Sequence, residues 1–188
     1  MGNVKWSDVK TVALGEVGYT EGPNNWTKYA ADLDMISYFN GPKQNVAWCA
    51  TFTSWCFWKA ASPDPKGTAL AAQYQPSKDN CGCSVSWNAS YYKNNKQFYS
   101  QPKDGYVFFT KGYQHTGFVS KVNNDGTFTT IEGNHNDKVA CVIRKISDME
   151  GFGSPWYTPE SSSDKEVNIT VKVNAPEGVK VNIKVEKE

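Results

Sequence analysis

The chain has 188 residues, with 20 basic and 19 acidic side chains and a formal charge of +1. A mean hydropathy of -0.60, with no run of about 20 apolar residues, excludes a membrane span. The lack of a basic stripe removes the electrostatic case for nucleic acid, and the length allows one domain of about 150 residues plus a small appendage.

Ser7 can cap a helix running to about Val17, with Gly18 as its stop. Glu21-Gly22-Pro23-Asn24-Asn25 reads as loop, and Asn25 can cap a short helix from Lys28 to Leu33. After the breaker Asn40-Gly41-Pro42, the stretch Val46 to Ala60 is apolar around almost its whole circumference, the pattern of a central buried helix. Ser62-Pro63-Asp64-Pro65 ends it, and further helices are expected over Thr68–Tyr74 and Ala89–Asn94. From Pro102 onward the pattern turns to strands: Tyr106–Thr110, His115–Val122, Thr127–Glu132 and Ala140–Arg144, with Asn123-Asn124-Asp125-Gly126 as a turn. Helices followed by an antiparallel sheet make an α+β fold, here over residues 1–159. A polar linker (160–166) follows. Residues 167–188 alternate strictly and form a β-hairpin too small to be stable alone, which either docks on the domain or begins a further module.

The five cysteines are an odd number, so one stays free unless it pairs with another chain. A structural pair within Cys56, Cys81, Cys83 and Cys141 is left open. Cys81, Cys83, Cys141 and His135 match no usual zinc spacing, and no metal site is expected from them. The N-terminus carries no basic start followed by an apolar core, so synthesis in the cytoplasm without a signal peptide is expected.

A thiol nucleophile needs conditions that favour the thiolate, a base in reach and a group that orients the base. Cys49 falls in the first turn of the buried helix, where unpaired N–H groups and the helix dipole favour negative charge. Cys56 lies two turns deeper and reads as a core residue. His115 begins one strand and Glu132 ends the next. If the loop between them holds two or four residues, antiparallel pairing puts His115, Glu132 and Asn134 on one face, although a one-residue bulge would turn Glu132 away. The chain's other histidine, His135, follows Gly-Asn in a loop and reads as a bystander.

Trp48-Cys49-Ala50-Thr51-Phe52, Pro102-Lys103-Asp104-Gly105-Tyr106, His115-Thr116-Gly117-Phe118-Val119 and Glu132-Gly133-Asn134, together with Glu21 to Tyr29, resemble the CHAP family. This is a family of cysteine, histidine-dependent amidohydrolases and peptidases related to the NlpC/P60 proteins. The resemblance implies a minimal papain-like fold, Cys49 as nucleophile, His115 as base, Glu132 as orienting acid and Asn134 as a further polar site residue. It also implies cleavage of an amide bond in bacterial peptidoglycan, as in phage endolysins, either at the muramoyl–L-alanine link or within the stem and cross-bridge. The action would then be at the wall after release from the cell. Some members bind calcium beside the nucleophile helix. Asp32 and Asp34 precede that helix here without forming a calcium loop, so no cofactor is expected, with calcium left open as the alternative. Trp26, Trp48 and Tyr113 are the candidate substrate-binding rings. The contrasting reading is a non-catalytic wall-binding or structural module in which the cysteine and histidine are inert. Oligomeric state is not legible.

Overall fold

The computed structural model describes residues 4–36, 39, 43–61 and 82–160. The helix expected over Thr68–Tyr74, the C-terminal hairpin, all of the linker beyond Glu160, and Cys81 lie outside the described residues. Among those described, α1 (Trp6–Gly15), α2 (Lys28–Asp34), α3 (Cys49–Ala61) and α4 (Val85–Asn94) come first. They are followed by β1 (Phe98–Tyr99), β2 (Val107–Thr110), β3 (Thr116–Val122), β4 (Thr127–Glu132), β5 (Ala140–Lys145) and β6 (Met149–Gly153). The strands form one antiparallel sheet in the order β1-β6-β2-β3-β4-β5. The fold is therefore α+β.

The helix starts differ from the sequence reading. Lys5, not Ser7, stands at the N-cap of α1, where Asp8 accepts from its backbone N–H at 3.2 Å. Ser7 lies inside the first turn, and its own N–H and hydroxyl both donate to Glu160, at 2.9 and 3.0 Å. At α2 the capping oxygen belongs to Thr27, which accepts from Ala30 at 3.1 Å. Asn25 sits in the preceding turn with φ 59. Each shift is small and has one cause: a side chain that can satisfy an orphan N–H is available from a neighbour as well as from the sequence-local candidate.

Helix α3 begins at Cys49 itself rather than at Val46, and every residue from Cys49 to Trp58 is buried. It packs on α1 and α2 on one side and on β3 and β4 on the other. Period-two alternation divides the strands between two cores. Val107, Phe109, Phe118 and Ile131 join Phe52 and Phe57 of α3. Phe108, Val119, Phe128, Met149 and Phe152 form a second cluster on the opposite face.

The β3–β4 hairpin departs from the expected even loop. Asn123 N–H donates to Thr127 O at 3.0 Å, leaving Asn124-Asp125-Gly126 as a three-residue loop, with Gly126 at φ 79. An odd loop alone would reverse the faces. A bulge at Ser120 reverses them again, and the ladder continues as Val119↔Thr130 and Phe118↔Ile131. Continued past the strand ends, this register sets His115 level with Asn134, so Glu132 faces the histidine after all.

Candidate active site

Cys49 is the first residue of α3, 3% exposed, with the open N–H groups of the first turn around its backbone. Its thiol interacts with the His115 imidazole. His115 is held from behind: its N–H donates to Thr110 Oγ1 at 2.9 Å, and its carbonyl accepts from Thr110 N–H at 3.1 Å. The ring's Nε2 lies 2.8 Å from Glu132 Oε2. An ionised carboxylate only accepts, so Nε2 carries the hydrogen there and Nδ1 is left for the thiol. The imidazole thus stands between thiol and carboxylate, hydrogen-bonded to the carboxylate and interacting with the thiol.

Two glycines allow that line to close. A Cβ on Gly133 would lie 2.5 Å from Phe52 Cβ and 2.8 Å from the Trp48 ring, so only glycine lets the start of α3 approach the end of β4. A Cβ on Gly117 would lie 2.8 Å from the Phe108 ring and 3.1 Å from Glu132 Cγ, in the path along which Glu132 reaches the imidazole. The glycines of His-Thr-Gly and Glu-Gly-Asn are therefore spacers for the neighbouring functional side chains.

Glu132 is 0% exposed yet fully bonded. Oε1 accepts from Arg144 Nε and from Thr130 Oγ1, both at 2.5 Å, and Oε2 accepts from Arg144 Nη2 at 2.6 Å and from His115. Burial would raise its pKa, but the bonds from Arg144, then His115 and Thr130, outweigh this and lower it to about 2. For His115, burial would lower the pKa. The bonds to Cys49 and then Glu132 prevail and raise it to about 9. Thr130 and Arg144 were not singled out from the sequence. The available signals were the shared face of Thr130 and Glu132 two residues apart, and the fact that Arg144 is the chain's only arginine.

The family model that describes the CHAP domain matches residues 41–134, half of the chain, from just before α3 to just after β4. The chain belongs to the CHAP family. No curated protein and no solved structure is matched. CHAP domains are generally cysteine- and histidine-dependent amidohydrolases or peptidases, with peptidoglycan as the substrate the family suggests.

The remaining expected residues distribute unevenly around this CHAP site. Asn134 is half-buried with φ 58, immediately beyond the glycine that admits α3. His135 Nδ1 lies 3.7 Å from Glu132 Oε2, so the other histidine stands beside the network and not in its line. Trp26 is 48% exposed, in a turn closed by pairing with Gly22. Tyr113, just before His115, is half-buried and hydrogen-bonded to Lys93. Trp48 is a correction: it is 0% exposed, tilted against Tyr29 and edge-on to Phe52, and its Nε1–H donates to Glu21 at 2.5 Å. A ring with no free face cannot stack on a substrate. Its role is to anchor the Glu21 loop, whose own N–H donates to Asp137 O at 3.0 Å, across the start of α3.

The carboxylates considered for calcium have other duties. Asp32 accepts from Trp55 Nε1 at 2.8 Å. Asp34 accepts from the fully buried Lys43 ammonium at 2.9 Å and from the Lys43 backbone N–H. An ammonium already seated on Asp34 opposes a second cation, so this pair does not fit a calcium ion. Cys49, Cys56 and Cys141 are free thiols among the described residues.

Proposed function

We propose that the chain is a peptidoglycan hydrolase that cleaves an amide bond through a Cys49 thiolate. The observation that carries this reading is His115, hydrogen-bonded to the buried Glu132 and interacting with Cys49 at the open end of a buried helix. An imidazole with its pKa raised to about 9 is a strong acceptor for the thiol proton. The imidazolium it becomes rests between thiolate and carboxylate. Sulfur attacks the carbonyl carbon, and the N–H groups of the first turn of α3, that of Cys49 included, point to where the oxyanion forms. The C–N bond breaks as the amine leaves with the proton from His115. Water, deprotonated by His115, then hydrolyses the thioester and returns the thiol.

The scissile bond is either muramoyl–L-alanine or a peptide bond of the stem or cross-bridge, and the site of action is the bacterial wall, reached in the manner of a phage lysin or an autolysin. Trp26 and Tyr113, which keep ring surface beside the Glu21 and His115 loops, are the candidate contacts for substrate. Mass spectrometry of purified walls after digestion tests the proposal. New N-terminal L-alanine identifies an amidase, and a new end within stem or bridge identifies an endopeptidase. Cys49→Ala is expected to lose at least about 10⁴-fold in rate. Full wall digestion by that variant would refute the mechanism, and binding to walls without any cleavage by the parent protein would support the non-catalytic reading instead.

A further inference from the structure

Arg144 lies on β5, beyond the residues that the family model matches. The chain uses 20 basic residues, and this is the one position at which the base is arginine and not lysine. The chemistry at that position explains the choice. Two guanidinium nitrogens, Nε and Nη2, meet the two oxygens of Glu132 in a fork at 2.5 and 2.6 Å. A lysine ammonium is a point donor and cannot hold both oxygens in one plane. The guanidinium is itself fixed: its carbon lies 5.4 Å over the Phe108 ring, and that ring is 6.0 Å from the ring of His115. The side-chain contacts of Arg144 are thus with Glu132 and Phe108. Arg144 bears on the group that orients the base.

We propose that Arg144 is a positioning residue for this site, keeping Glu132 ionised and rotationally fixed so that one oxygen always faces His115. This rests on the reading of Cys49, His115 and Glu132 as the reacting line. The charged and titratable groups around Glu132 are few. His115 approaches from the start of β3, Arg144 and Cys141 from β5, and His135 from the loop after β4. Of these, only Arg144 is a cation at every working pH. Without it, a carboxylate with no solvent exposure has one cationic hydrogen-bond partner left, and that partner must also exchange a proton with the thiol.

The test is the pH profile of kcat/KM on solubilised wall fragments, with the pH dependence of Cys49 alkylation as a readout that needs no substrate. Arg144→Gln is expected to lower kcat about tenfold or more with little change in KM, and to move the acid limb of both profiles to higher pH, because Glu132 then takes up its proton more readily. Arg144→Lys keeps the charge without the fork and is expected to recover the position of the limb and part of kcat. In a Glu132→Gln background the same change at Arg144 is expected to add no further loss in kcat, since its effect passes through the carboxylate. Wild-type limbs and kcat in folded Arg144→Gln would overturn the proposal, as would losses that multiply in the double variant. If Arg144→Gln unfolds, the lysine variant decides: a limb in place with kcat below wild type supports the proposal, and a wild-type kcat or a limb displaced despite the retained charge refutes it. If Cys49→Ala still cleaved walls, the hydrolase mechanism would fail, while the alkylation profiles would still report whether Arg144 acts on His115 through Glu132.

Discussion

Helix α3 holds two buried cysteines, one at its first residue and one two turns further in, and the pair shows how little burial alone says about reactivity. Cys49 is 3% exposed and Cys56 is 0% exposed, so accessibility hardly separates them. Cys56 is surrounded by core, and burial, reinforced by the charge of Glu16, pushes its thiol well above the ordinary value. Cys49 stands where the helix backbone is still unpaired and where an imidazole interacts with the thiol. The difference lies in one helix end, one histidine and a carboxylate held behind it. Reactivity in this helix is thus a property of neighbours brought from the sheet.

Removing the neighbours should make Cys49 resemble Cys56, and the largest effect beyond loss of the thiol itself is expected at Glu132. Glu132→Gln should lower kcat about 10²- to 10⁴-fold, the range of positioned acid–base catalysis. It should also move the titration of His115, followed by NMR, below its value of about 9. The sign follows from the shift. A histidine raised from 6.5 to about 9 by folding stabilises the protein fully below pH 6.5, and that contribution fades as pH rises through about 9. Denaturant midpoints measured across this window should fall with pH in the parent and fall less in Glu132→Gln. A smaller effect is expected from Gly133→Ala. Its new methyl meets Phe52 and Trp48, so about 1–3 kcal/mol of stability should be lost, with kcat falling more than KM rises as Cys49 is pushed from His115. Equal stability and equal kcat would show that the close approach of α3 to β4 is not needed. The smallest effect is expected two turns into the helix. Cys56→Ala should cost about 1 kcal/mol and leave kcat unchanged. The Cys56 thiol of the parent should resist alkylation until the protein unfolds, and alkylation at the rate of Cys49 in the native state would collapse the comparison.

The parts of this site that could be read from the sequence are those whose meaning is local. A run from Val46 that is apolar around almost its whole circumference, a His-Thr-Gly at a strand start and a Glu-Gly-Asn at a strand end each announce an element and a position within it. Arg144 was not legible in the same way, because its partner is 12 residues away and the pairing depends on the register of two hairpins. Strand β6 was missed for a related reason. Gly151 and Gly153 argue against a strand locally, yet they are what the fold requires, since a Cβ at either would strike the ring of Phe98 or Tyr92. Trp48 misled in the opposite direction, because an aromatic beside a nucleophile suggests a substrate platform until its burial is known.

The β3–β4 hairpin contains two one-residue irregularities, the odd loop at Asn124–Gly126 and the bulge at Ser120. Together they act as a parity code for the site. Deleting one residue from the loop or removing the bulge alone turns Glu132 to the far side of the sheet and leaves every functional residue present but out of reach. Making both changes together restores the arrangement. Chains of this family can therefore differ in the hairpin by compensated single-residue steps while keeping the same chemistry, and alignment of the motif blocks alone would not reveal which of two hairpins is intact.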